Sequence, residues 1–153
     1  KECDLTSEEA KIGTLTDIPF CEDYFDYVVL SEVLEHIEKN GNDLAMVEIR
    51  RILKKNGKLI GTVPHNEDLL LNSVICPYCM DVFHKWGHQQ SFDQKKVHDL
   101  MSKYFSVKVC IVILSDPRIL NMFGNVSRII QIILSKLGHH RTNSNIFFEA
   151  EKR

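Results

Sequence analysis

Asp26-Tyr27-Val28-Val29-Leu30-Ser31-Glu32-Val33-Leu34-Glu35-His36-Ile37 is the stretch whose pattern sets the fold of this chain. Tyr27 to Leu30 form a short unbroken apolar run with two valines, which suits a strand buried on both faces. Ser31 is placed to cap a following helix, with Val33, Leu34 and Ile37 along one side.

Downstream, Asn42 or Asp43 is placed to cap a second helix. Its Ala45, Met46, Ile49, Ile52 and Leu53 recur as an amphipathic stripe. Arg50, Arg51, Lys54 and Lys55 sit where cations complement the helix dipole, and Asn56-Gly57 ends the helix with Gly57 as the left-handed residue. Leu59 to Val63 reads as a second buried strand, ended by Pro64. Residues 66–92 are irregular in pattern and dense in Cys and His. Asp93 then caps a helix with Val97, Leu100, Met101 and Tyr104 on one face, and Ser106 to Leu114 follows as a strand. An apolar helical stretch over 119–137 and a strand from Asn145 to Ala150 complete the pattern. Strands alternating with helices predict an α/β layer fold with a mainly parallel sheet. In such sheets ligands bind outside the carboxyl ends of strands, which points to the residues after Leu30 and after Val63.

The 153 residues suffice for a single domain with a real core. With 44% hydrophobic and 26% charged residues, the composition excludes disorder, collagen and coiled coil as the main state. A net charge of −2 gives no basic field, so no nucleic-acid partner is expected. Five cysteines, an odd number without a regular frame, fit reduced thiols and a cytoplasmic setting. The segment 119–137 is interrupted by Asn121, Asn125, Ser127, Arg128 and Gln131, which suits a one-sided helix or membrane-surface contact better than a span. The charged start, Lys1-Glu2-Cys3-Asp4, carries no signal-peptide pattern and no initiating Met, as expected for a piece of a longer chain.

Four segments in order carry a family resemblance: Asp17-Ile18-Pro19-Phe20; Tyr24 to Val29 with Glu32-Val33-Leu34-Glu35-His36-Ile37; Glu48 to Gly57; and Leu59-Ile60-Gly61-Thr62-Val63-Pro64. Together they resemble the class I S-adenosyl-L-methionine-dependent methyltransferases, nearest to the small-molecule branch called type 11. The resemblance implies a Rossmann-like sheet, mostly parallel with an antiparallel last strand. Phe25–Leu30 would be the fourth strand, Lys58–Val63 the fifth, Val107–Leu114 the sixth and Ile146–Ala150 the seventh. It also implies methyl transfer to a small-molecule acceptor, lipid-linked and sugar-linked ones included. The family's glycine-rich loop after the first strand has no counterpart, because no Gly-x-Gly occurs in the chain. The resemblance therefore implies a C-terminal two-thirds lacking its first strand or strands, which by itself binds the cofactor weakly and exposes strand edges that favour self-association.

The same resemblance places the site residues. Asp4, with Glu2 as its rival, would hold the ribose hydroxyls, and Thr14 or the backbone of Leu15 would meet the adenine. Ser31 and Glu32 would floor the site beneath the sulfonium. Glu35 and His36 are the nearest bases, although Glu32 and Glu35 equally fit as first-turn helix acids. His65 and Asn66 would rim the acceptor pocket. Cys76, Cys79, His84 and His88, spaced C-x2-C, four residues, then H-x3-H, form a zinc-like set in an insertion over the active site. The gap of four is far shorter than that of a zinc finger, and the alternative is a metal-free lid with Trp86 as anchor and His88 facing the acceptor. A zinc-stabilised binding module and a non-catalytic methyltransferase fold are the competing functions.

Overall fold

The computed structural model describes residues 10–113 and 144–153. Asp4 with Glu2, Leu114 and the apolar stretch 119–137 lie outside them. In chain order the elements are β1 (Phe25–Ser31), α1 (Asn42–Ile52), β2 (Leu53–Pro64), β3 (Ser73–Ile75), β4 (Val82–His84), α2 (Gln94–Met101), β5 (Ser106–Ile113) and β6 (Ser144–Glu151). Four strands form one sheet in the order β1-β2-β6-β5, and β3 and β4 pair as a separate antiparallel hairpin.

In the four-stranded sheet β1 and β2 are parallel, and β6 runs antiparallel to both of its neighbours, β2 and β5. Three strands thus share one direction, while one pairing is parallel and two are antiparallel. The last strand is reversed as expected, but the described sheet is mixed rather than mainly parallel. On β2, Leu59 and Val63 alternate inward, and β6 answers with Ile146, Phe148 and Ala150. Ala45, Met46 and Ile49 of α1 and Val97 and Met101 of α2 close over the same face and share one core with them. The other face of β1 is open among the described residues, with Tyr27 60% and Val29 72% exposed. Burial of this strand on both faces is therefore not met.

Three local expectations fail for identifiable reasons. The helix after Ser31 is replaced by short 3-10 turns at Leu34–His36 and Lys39–Gly41. Glu32 takes φ 54°, a left-handed conformation incompatible with a helical run, and Ser31 Oγ lies 3.1 Å from Thr62 Oγ1 instead of capping. Neither Asn42 nor Asp43 caps α1, whose N-cap is Gly41 with no side-chain bond. Asn42 Nδ2 donates to Gln90 Oε1, and Asp43 Oδ1 accepts from Lys103 and Tyr104, so both side chains serve tertiary tethers. At the C-terminus Leu53 is already extended, and the left-handed residue is Asn56 (φ 62°), not Gly57. Gly57 is needed for space, since a Cβ there would stand 2.8 Å from the Lys54 carbonyl oxygen. Asp93 caps α2 as expected, accepting from the Lys96 N–H at 2.7 Å.

Two contacts hold the parts in place. The Asp17–Phe20 segment is clamped to α1: Glu48 Oε2 accepts from the Ile18 N–H, and Arg51 donates to the Ile18 and Phe20 carbonyls and to Glu48. The Arg51 guanidinium, helped by the Ile18 N–H, pulls the Glu48 carboxyl down to about 2. In the sheet, Gly61 stands opposite Leu30 on one side and Phe148 on the other. A Cβ on Gly61 would lie 2.1 Å from the Leu30 carbonyl oxygen and 2.4 Å from Phe148 Cζ.

Gly61→Ala is expected to lower stability by about 3 kcal/mol, because it forces backbone or ring displacement inside a packed sheet; a denaturation midpoint within error of the parent would contradict this. A carboxylate with a depressed folded pKa stabilises above its unfolded value of 4.5, and that contribution is lost as pH falls through about 2. Over that window the thermal midpoint of Glu48→Gln should fall less steeply with acid than that of the parent chain.

Candidate active-site cleft

The carboxyl ends of β1 and β2 open into a cleft of about 740 Å3, walled by Glu32, His65, Asn66, Glu67, Trp86 and His88. Ser144 and Asn145, at the start of the reversed strand β6, complete it. β6 enters where β1 and β2 leave, so the sheet itself brings these residues to one end.

Glu32 follows β1 in its left-handed conformation, its N–H donating to the Thr62 carbonyl and its Oε1 accepting from Asn145 Nδ2 at 2.8 Å. A non-glycine residue held in this region is often part of a working site. His65 is only 7% exposed; its N–H reaches the Ser144 carbonyl, and its Nδ1 lies 3.3 Å from Ser144 Oγ. Asn66 also has positive φ and donates its N–H to the Phe92 carbonyl.

The insertion over the cleft contains the β3–β4 hairpin and a histidine cluster beneath it. Glu67 is the hub of this cluster. Its Oε2 accepts from His88 Nδ1, its Oε1 accepts from Asn72 Nδ2 at 2.9 Å, and His84 Nε2 stands 3.3 Å from the same Oε1. The His84 and His88 rings stack with centroids 4.5 Å apart, and His36 meets His88 edge-on at 4.7 Å. Lys85 Nζ lies over the Trp86 ring at 3.7 Å, a cation–π contact at the cleft mouth.

Glu35 lies behind this wall. It is 1% exposed, and among the described residues neither of its carboxylate oxygens makes a well-formed hydrogen bond. Burial pushes its carboxyl up to about 7; its own backbone N–H and His88 oppose the rise, and the nearby charges of Glu32 and Glu67 add to it.

Of the expected site residues, Glu32, His65, Asn66 and His88 line the cleft, while Thr14, Leu15, Ser31, Glu35, His36 and His84 do not. Thr14 and Asp17 form a tight bridged turn, with Leu15 packed against the core. Among the described residues, Glu35 and His36 lie next to the cleft residue His88, Glu35 converging with it and His36 meeting its ring edge-on. Asp4 lies outside the described residues.

The four-ligand zinc set Cys76, Cys79, His84 and His88 is not assembled. Cys76 and Cys79 sit in the turn joining β3 to β4, where the Cys76 N–H donates to the Asp81 carbonyl. His84 sits at the other end of the hairpin, opposite Ser73. A strand advances about 3.4 Å per residue, so turn and base stand too far apart for one ion. Among the described residues, the His and carboxylate groups that converge within 4.8 Å are Glu35, His36, His88 and Glu67, His84, His88, without a cysteine. Glu67, Asn72 and Asn145 were not marked by any sequence signal: Glu67 and Asn145 gain their roles from His88 and Glu32, distant in the chain, and Asn72 gains its role through Glu67.

A comparison with known proteins bears on the same geometry. The class is given by fold: the chain aligns over 93% of its length, at TM-score 0.60 and 13% identity, with 66% of a methyltransferase dependent on S-adenosylmethionine from Methanosarcina mazei. A second such enzyme, from Thermotoga maritima, aligns over 92% of this chain and 62% of its own at TM-score 0.58 and 20% identity. Burkholderia thailandensis 1,6-didemethyltoxoflavin-N1-methyltransferase, with bound acceptor and S-adenosylhomocysteine, aligns over 90% of this chain and 48% of its own at TM-score 0.56 and 11% identity. The chain has the class I S-adenosylmethionine-dependent methyltransferase fold. More particularly, residues 3–61 match the family model described as a methyltransferase domain. An uncharacterised protein of Methanocaldococcus jannaschii is 39% identical over 80 residues, which is 51% of this chain and 33% of that protein. The chain thus spans about a third of that relative and about two thirds or less of the solved chains above.

No helix among the described residues is long and apolar enough to cross a membrane. The backbone N–H groups of Cys79 and Tyr78, with the neighbouring Cys79 thiol, lower the Cys76 thiol pKa. Cys76 should therefore alkylate with iodoacetamide faster in the folded chain than in urea, and Cys79→Ser should slow it; equal rates by peptide mass mapping would contradict the assignment.

Proposed function

We propose that the protein transfers the methyl group of S-adenosylmethionine to a small-molecule acceptor held in the cleft. The observation that supports this best is the position of the cleft, at the carboxyl ends of β1 and β2 in this fold, with Glu32 fixed in a left-handed conformation at its floor. The donor would lie along the first turn after β1 and the Thr14–Asp17 bridge, with Thr14, Leu15, Ser31 and Glu32 as its contacts and Asp4 at the ribose. The acceptor would lie against His65, Asn66 and His88. The Burkholderia relative's paired acceptor and S-adenosylhomocysteine support a small molecule as the second substrate.

The chemistry is an in-line displacement. A lone pair on the acceptor atom attacks the methyl carbon, the carbon–sulfur bond breaks, and its electron pair returns to sulfur, leaving S-adenosylhomocysteine. The chain's task is to hold the two atoms in line at roughly 3–3.5 Å and to keep water out. A proton leaves the acceptor only when the attacking atom carries one. Leu71, Asn72, Lys85, Trp86 and His88, which flank the hairpin, line one side of the cleft, where Trp86 and His88 would border the acceptor.

Calorimetry of the chain with S-adenosylhomocysteine tests the reading, with one molecule bound per chain as the expected result. Asn66→Ala should reduce methyl transfer at least about tenfold, about 1.4 kcal/mol, while leaving that affinity unchanged. Absence of binding would overturn the reading.

A further inference from the structure

We propose that Glu35, His36 and His88 form a binding site for one divalent first-row transition-metal ion at the wall of the cleft. One ligand atom from each converges within 4.8 Å of the other two. Metal bonds of about 2.0–2.2 Å place donor atoms roughly 3–3.6 Å apart, so closure of the set is a side-chain movement of about an ångström.

Convergence alone would be weak, but two further observations point at a ligand. The first is Glu35. A carboxylate that is 1% exposed, with neither oxygen in a well-formed hydrogen bond among the described residues, is costly, since buried polar groups are almost always satisfied. Protonation does not remove the deficit, because the acid also lacks such a bond among the described residues. A cation would satisfy it directly.

The second is the orientation of His88. Its Nδ1 is paired with Glu67; in the neutral tautomer that donates there, Nε2 keeps a free lone pair and is the ligand atom. A carboxylate on the far nitrogen of a metal-binding histidine fixes the tautomer and raises the basicity of the ligating nitrogen. Glu67 is itself anchored by Asn72 and faced by His84 Nε2. The arrangement is carboxylate, histidine, then ion, with the supporting shell already built.

The overlapping group of Glu67, His84 and His88 is the weaker candidate. Both Glu67 oxygens already accept hydrogen bonds, from Asn72 and from His88, so this carboxylate is satisfied without an ion. His84 Nε2 stands 3.3 Å from Glu67 Oε1 without a hydrogen bond to it. Two imidazoles and one carboxylate suit a transition metal better than magnesium or calcium, which favour all-oxygen shells. The site does not depend on the cysteines and does not depend on methyl transfer. If the chain does transfer methyl groups, an ion beside His88 would be placed to meet an oxygen of the acceptor.

Titration of the full chain with Co2+, followed by calorimetry and visible absorption, decides. One Co2+ per chain is expected, with d–d bands and no intense thiolate charge-transfer band. His36→Ala and His88→Ala should abolish binding, and Glu67→Gln should weaken it by about 10–100-fold at unchanged stoichiometry. Cys76→Ser combined with Cys79→Ser should leave it unchanged. Should a histidine variant fail to fold, diethylpyrocarbonate modification of the parent chain serves instead. Co2+ should then protect His36 and His88 but not the exposed His98. No bound Co2+, a sulfur charge-transfer band, binding that survives in folded His36→Ala and His88→Ala, or absence of protection would each overturn the proposal.

Discussion

Phe148 lying across Gly61 is the contact on which the described sheet depends. The space a Cβ would fill at Gly61 is taken from one side by the Leu30 carbonyl and from the other by the Phe148 ring. β1, β2 and β6 are thereby locked in one register. Side chains alternate across a strand, so a slip of one residue would turn every inward group of β6 outward. It would also break the end of the sheet where Ser31 meets Thr62 and Pro64 meets Asn145. The cleft exists because that register brings the exits of two strands and the entrance of a third together.

Two carboxyl groups near the cleft have opposite surroundings. Glu67 is partly buried, accepts from His88 and Asn72, and faces His84. Glu35 is more deeply buried and makes no well-formed side-chain hydrogen bond among the described residues, and burial raises its carboxyl to about 7. His88 touches both environments.

The hairpin above this cluster shows how a short insertion divides its chemistry. Strand pairing puts Cys76 and Cys79 at the turn, close to each other and away from the cleft. It puts His84 at the base, and the following turn carries His88 back over His36. Spacing along the chain suggested one four-ligand site. The antiparallel ladder separates the thiols from the imidazoles and joins the imidazoles to Glu67 and Glu35 instead.

Local chemistry was sufficient where an element answers to its own neighbours in sequence. The apolar run at Tyr27–Leu30, the stripe of α1 and the Asp93 cap of α2 were all legible, because period and capping act within a few residues. The four linked motifs were enough to give the fold family, and with it the two strand ends that bound the cleft. What the sequence could not determine depends on partners far away in the chain. Glu32 ends the run after β1 because Thr62 and Asn145 hold it, and Asn42 gives up its cap for Gln90. Glu67 becomes a hub only once Asn72, His84 and His88 are folded around it. The amino-acid order by itself determined β1, most of α1, α2 with its cap, and the later strands, since those preferences are local; it did not determine the turns after Ser31 or the β3–β4 hairpin. The tertiary structure alone decided which acids are paired, which are buried unpaired, and which histidines share a wall, since burial and long-range contact are properties of the folded chain.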